Sequence, residues 1–223
     1  MGNLKLNDVK PELQKRVTKI LQLLEKEHPD AKIALEFSNP LELLVATILS
    51  AQCTDAKVNQ VTKSLFKKYR TAEDYANADL AMLEKDIKPT GFYQKKAKRL
   101  IETCQTLVDK FGSKVPQTIE ELTSLPGVAR KTANIVLSNA YGIVNGIAVD
   151  THVLRLTKRL GLTESKTREK IERDLMQIVP KESWARFTDL LIFHGRRICD
   201  AKKPKCNKCI LSKICPSAYS FST

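Results

Sequence analysis

Four cysteines fall within the last 25 residues of the 223-residue chain, at Cys199, Cys206, Cys209 and Cys215, in the spacing C-x6-C-x2-C-x5-C. Thiolates this close can converge on one metal centre from a single short loop. Zinc sites more often pair two C-x2-C knuckles across a longer gap. Ligands crowded into 17 residues, with Pro216 directly behind the last, suit a compact iron–sulfur cluster, and the spacing favours that over zinc. Four reduced cysteines without a ligand are a poor reading at this density. Within the loop runs DAKKPK, with Lys202, Lys203 and Lys205, and Arg196 and Arg197 precede it. A metal centre that pins a basic loop is a device for gripping phosphate. Cys53 and Cys104 sit in helical patterns and read as small buried apolar residues.

A second stretch with chemistry in it is LPGVARKTAN, residues 125–134. Pro126 and Gly127 make a turn, and Arg130 and Lys131 follow at the start of a helix, where the macrodipole is already positive. IEELTSL before the turn and RKTANIVLSNAYG after it are both helical, which makes a helix–hairpin–helix pattern. Ala133, Val136, Leu137 and Ala140 share one face, and Lys131 points away from it. Backbone amides at a helix start bind phosphate. The turn and Arg130 are therefore expected to receive a DNA phosphate without reading base sequence. Taken alone, Lys131 reads as one more surface lysine. Further on, Ile147, Ala148 and Val149 lead to Asp150 in the stretch AVDTH. Asp150 suits a helix N-cap, and a carboxylate fixed there is also well placed to face a cleft.

The elements that must hold these residues share the helical period. Leu13, Val17, Ile20, Leu21 and Leu24 form one stripe, and helices are predicted over 40–52, 55–69, 92–112, 149–161, 167–180 and 182–195. The one alternating run, GIVNGIAV, is short and broken by glycine. The fold class is all-α, with short loops between helices and loose ends over the first ten and last seven residues. Lys and Arg outnumber Asp and Glu by 38 to 25, a net charge of +13. That excess predicts a polyanionic partner, nucleic acid before anionic membrane, against the plainer reading of a solvated basic surface. No apolar run is long enough to span a bilayer, and the N-terminus lacks the apolar centre of a signal peptide. The protein is therefore expected in the cytoplasm, at the nucleoid in a prokaryote, where cysteines rarely form disulfides.

Taken together, LPGVARKTAN, AVDTH and the four-cysteine spacing resemble the endonuclease III family, within the helix–hairpin–helix superfamily of DNA glycosylases. NPLELLVATILSAQCTD at 39–55 and TGFYQKKA at 90–97 extend the likeness over nearly the whole chain. The resemblance implies two helical domains flanking a DNA-binding cleft. One is a six-helix barrel over 33–144 that includes the hairpin; the other joins 1–32 to 145–223 and carries a [4Fe-4S] cluster on Cys199, Cys206, Cys209 and Cys215. It implies a monomer that flips oxidised pyrimidines out of damaged double-stranded DNA, removes them, and nicks the abasic strand. Lys131 would be the nucleophile that forms a Schiff base, and Asp150 the carboxylate across the cleft. A cationic, partly desolvated cleft would favour the neutral amine. Gln52 matches a glutamine that enters the gap left by the flipped nucleotide. Phe92 stands where the family often has a leucine wedge, and is either a DNA wedge or core. Gly127, Ala129 and Arg130 would contact the backbone, with Lys202, Lys203 and Lys205 as further DNA contacts.

The family hairpin usually has a second glycine where this chain has Ala129. If that position needs positive φ, alanine costs on the order of 1 kcal/mol; if it is helical, alanine helps. Two other functions fit parts of the pattern: a monofunctional adenine-mispair glycosylase of the same superfamily, and a non-catalytic DNA-binding module. The adenine-mispair family lacks the lysine at the position of Lys131 and carries a further C-terminal domain.

Overall fold

The computed structural model describes residues 6–221. Among them are eleven α-helices and no strand: α1 (Leu6–Glu27), α2 (Pro40–Leu49), α3 (Asp55–Lys68), α4 (Ala72–Ala76), α5 (Leu80–Ile87), α6 (Tyr93–Phe111), α7 (Ile119–Ser124), α8 (Arg130–Tyr141), α9 (Thr151–Arg159), α10 (Arg168–Ile178) and α11 (Trp184–Arg197). The chain is all-α, as its periodicity predicts. Most starts carry a side-chain cap. Asn39 accepts from the Glu42 amide with Pro40 at the first helical position, Thr54 from Lys57, Asp79 from Met82 and Thr167 from Lys170. Thr71 and Asp74 form a reciprocal capping box at α4.

Contacts divide the chain into two compact units, Ile33–Asn145 and the pair Met1–Lys32 with Gly146–Thr223. In the first, α2 is the buried centre. Leu43, Leu44, Val45, Ala46 and Leu49 are at most 1% exposed, and α3, α6 and α8 pack around them. Each large side chain removed from water in this way contributes about 1.5–3 kcal/mol. Helix α6 in turn packs on α4 and α5.

In the second unit, α1 lies on α10 and α11, and α11 on α9. Val17, Ile20 and Leu24 supply the apolar face of α1, none of them exposed. Polar ties across long stretches of sequence fix its position. Arg16 donates to the carbonyls of Leu160 and Ile214. Arg186 donates to those of Ala31 and His28. Arg197 forms a forked pair with Asp30, at 2.7 and 3.0 Å.

Residues 6–10 begin α1, and Ser217, Ala218 and Phe221 line the cavity of the four cysteines. The expectation for 1–5 and 222–223 lies outside the described residues. No helix among the described residues is long and apolar enough to cross a membrane.

Asp189 sits half-buried on α11. Burial pushes its carboxyl up from the ordinary 3.8 to about 6, with Arg186 pulling the other way. The native state then holds this proton more tightly than the unfolded chain. Stability therefore falls as pH rises between those two values, and the deficit persists at higher pH. Asp189→Asn is expected to raise stability by on the order of 1–2 kcal/mol at about pH 8. Urea unfolding should show the gap closing below about pH 4; a gap of equal size at both pH values would refute the cause.

Candidate functional site

The hairpin is built from apolar pins on both sides of a turn. Leu122, Leu125, Val128, Ala133, Val136 and Leu137 are all at most 4% exposed. Thr118 caps α7 through the Glu121 amide, and the Val128 amide closes onto the Leu125 carbonyl at 3.1 Å. Gly127 holds the left-handed backbone of the turn, φ 75. A Cβ there would lie 3.0 Å from Cδ of Arg99, so both conformation and space ask for glycine. Ala129 is neither left-handed nor helical. It is the N-cap of α8 in extended backbone, φ −81 and ψ 163, which any residue adopts. The alanine thus carries no strain, and it offers no side-chain acceptor to the amides of the first turn. Arg130 and Lys131 follow on that turn, both exposed.

Around the hairpin lies a depression of about 290 Å³ that includes Gln52, Phe92 and Gly127, together with Lys95, Lys96, Arg99 and Thr132. Gln52 and Phe92 both have left-handed backbone, φ 55 and φ 48, uncommon outside glycine. Phe92 is 61% exposed, which removes the core alternative for it. Lys95 and Arg99, one helical turn apart on α6, escaped the sequence reading. Inside the run QKKAKR nothing but the position after Phe92 could have singled them out.

Asp150 belongs to the other compact unit. Ile147, Ala148 and Val149 bury the strap that leads to it, and Asp150 itself is 9% exposed. It is the N-cap of α9, with Oδ1 accepting the amides of His152 and Val153, both at 2.8 Å. The second carboxylate oxygen takes no part in the cap. One turn on, Arg155 donates to the carbonyls of Gly195 at 2.9 Å and Cys199 at 3.0 Å. Helix α11 can come this close because residue 195 has no side chain: a Cβ would lie 2.9 Å from Nδ1 of His152. The start of α9 is thereby tied to the first cysteine of the C-terminal loop.

Cys199, Cys206, Cys209 and Cys215 are half-buried and line one shared cavity. Among the described residues no three Cys, His, Asp or Glu side chains close on a single metal ion, though the four thiols line the same cavity. Burial, reinforced by the neighbouring thiols, pushes Cys209 up to about 11 and raises Cys215. Cys209 and Cys215, which resist ionisation, call for a strongly positive guest beside them. Arg159 donates to Cys199 Sγ at 3.2 Å, and Nε2 of His194 lies 3.2 Å from Cys209 Sγ. Phe221 covers Arg159, its ring centre 4.1 Å from the guanidinium carbon. These residues fit a compact iron–sulfur cluster.

Lys202, Lys203 and Lys205 are exposed on this loop. The amides of Lys202 and Lys203 bond Asp200, and Lys205 Nζ reaches the Arg197 carbonyl at 3.1 Å. Of the other two cysteines, Cys104 is buried on α6, and burial pushes its thiol up to about 12. Cys53 lies in the turn after α2 and not in a helix.

Residues 45–181 match the family described as HhH-GPD superfamily base excision DNA repair protein. Endonuclease III of Synechocystis sp. is 50% identical over 207 residues, covering 93% of this chain and 94% of its own. The solved structure of a non-covalent Endonuclease III–DNA complex superposes with TM-score 0.89 at 45% identity, covering 93% of this chain and 97% of that one. That of a trapped Endonuclease III–DNA covalent intermediate has the same TM-score, identity and coverage. The chain belongs to the endonuclease III family of this superfamily.

Gly127→Ala should cost roughly 1–2 kcal/mol of stability through the left-handed turn. Thermal unfolding checks this; an unchanged midpoint would mean that the turn relaxes to accept a Cβ beside Arg99.

Proposed function

We propose that this protein removes oxidised pyrimidines from duplex DNA and then cuts the abasic strand, with Lys131 as nucleophile. It is a base excision repair enzyme with both glycosylase and abasic-site lyase activity. The observation that carries the reading is the trapped covalent Endonuclease III–DNA intermediate, a relative 45% identical over 93% of this chain. A covalent intermediate needs a nucleophile, and Lys131 supplies an exposed amine as the second residue of α8, two past its N-cap Ala129.

The chemistry follows from these residue types. A stacked base is out of reach, so the nucleotide must be extruded, at a cost of a few kcal/mol. Gln52 and Phe92 are suited to fill and wedge the stack, and the hairpin amides with Arg130 to hold a phosphate. The Lys131 amine, once deprotonated, attacks C1′ and the base departs with the glycosidic electron pair, taking up a proton. Ring opening gives an imine between Lys131 and C1′. The imine acidifies the C2′ proton; its loss drives β-elimination, which expels the 3′ phosphate. Water then returns the amine and frees the sugar aldehyde. Asp150, held by two amides, stays in place to stabilise the cation that develops at C1′ and to assist proton transfer.

Cys199, Cys206, Cys209 and Cys215 would hold a [4Fe-4S] cluster, which when bound supplies iron–thiolate cross-links that stiffen the loop of Lys202, Lys203 and Lys205 for contact with phosphates. The cavity framed by the four thiols supports this. The purified protein should contain about four irons per chain; one zinc per chain and no iron would overturn the assignment.

Lys131→Ala is expected to abolish borohydride trapping on abasic DNA and to slow strand cleavage by at least about a hundredfold. Cleavage at the wild-type rate would rule out the lysine mechanism.

A further inference from the structure

Lys96 is 4% exposed on the first turns of α6. Its ammonium donates to the Leu49 carbonyl and to the Thr90 carbonyl, 2.8 Å each. Leu49 is the last residue of α2, and Thr90 ends a short 3-10 turn, Lys88–Thr90. Both carbonyls lie where a helical turn runs out and bears partial negative charge. Three residues beyond Leu49 is Gln52, and two beyond Thr90 is Phe92, each in left-handed backbone. The Lys96 amide also closes onto the Phe92 carbonyl at 3.1 Å. One residue therefore grips the roots of both tips. Left-handed backbone at Gln and Phe persists only where the surroundings over-determine it. Burial lowers the pKa of Lys96, and the Cys53 thiol pulls it the other way, so the site costs the protein something to maintain.

We infer that Lys96 is a positioning residue for duplex opening: its ammonium, shared between the Leu49 and Thr90 carbonyls, sets the spacing of Gln52 and Phe92 so that the two enter the base stack as one rigid unit. The inference rests on the reading that this protein opens damaged duplex DNA. It makes Lys96 distinct from the nucleophile, since it touches no reacting atom.

Lys96→Met keeps the length of the side chain and removes the donors. Three measurements on the intact protein test it: excision of an oxidised pyrimidine from duplex DNA, cleavage of an abasic site in single-stranded DNA, and the fluorescence rise of 2-aminopurine placed beside the lesion. Duplex excision is expected to fall about tenfold to a hundredfold, mostly in kcat, as misplaced positioning groups do. The 2-aminopurine rise should be lost with it, while single-strand cleavage, which needs no stack opened, falls less than about threefold. Lys96→Arg, which restores a cation with several donors, should recover part of both losses. If Lys96→Met does not fold, Lys96→Arg against wild type must show the same split at smaller size. Parallel loss of both activities, or no loss of duplex excision in a folded variant, overturns the inference. A wild-type protein that excises and cleaves but lacks the split in its variants defeats this inference alone. A wild-type protein that does neither defeats the function on which it rests.

Discussion

Backbone carbonyls at helix ends, held by cations, are the interaction on which much of this molecule depends. An all-α chain leaves the last carbonyls of every helix without partners, and those ends are negative. With 38 Lys and Arg against 25 Asp and Glu, there are more cations than carboxylates to receive them. Arg16 ties the end of α9 and the cysteine loop to α1. Arg155 ties α9 to the last turn of α11 and to Cys199. Arg159 spans Asp200 and Ala201, and Lys96 does the same for the ends of α2 and the turn before α6. Charge-assisted bonds of this kind are stronger than neutral ones and are directional. The basic excess is thus partly structural and not only an attraction for polyanions.

Two helix starts show the opposite arrangement for opposite tasks. Helix α8 begins at Ala129, which has nothing to offer its amides. Helix α9 begins at Asp150, whose Oδ1 takes two of them. An uncapped start suits an anion from outside; a capped one immobilises an anion the protein already owns. The carboxylate stays at a fixed point because two amides, the buried strap before it and the close packing at Gly195 all agree on where α9 starts.

Local patterns were the legible part of the sequence. Nine helices, the hairpin turn and the crowding of four cysteines are written in neighbouring residues, so periodicity and spacing expose them. The failures come from contacts made at a distance. Helix α2 stops at Leu49, three residues short of its apolar pattern, and Gln52 turns left-handed beyond it. Helix α11 runs past Gly195 because that glycine is a packing contact and not a stop. Helices α4 and α5, of 5 and 8 residues, are too short to show a period. Lys96 sits in QKKAKR, where any lysine reads as solvated, and only the fold reveals that one of them is buried. Ala129 is neither left-handed nor helical but extended, because it is the N-cap of α8 and not a turn residue.

The joining of α1 to the C-terminal helices has a consequence for synthesis. As the ribosome releases the chain, Ile33–Asn145 emerges with all of its own contacts at hand and can collapse at once. Helix α1 cannot. The partners of Val17, Ile20 and Leu24 on α10 and α11 are translated more than a hundred residues later. Until then its apolar stripe stays wet, beside a neighbour already folded. That first helix is the segment a nascent-chain chaperone would meet, since it cannot dock before α10 and α11 have been made.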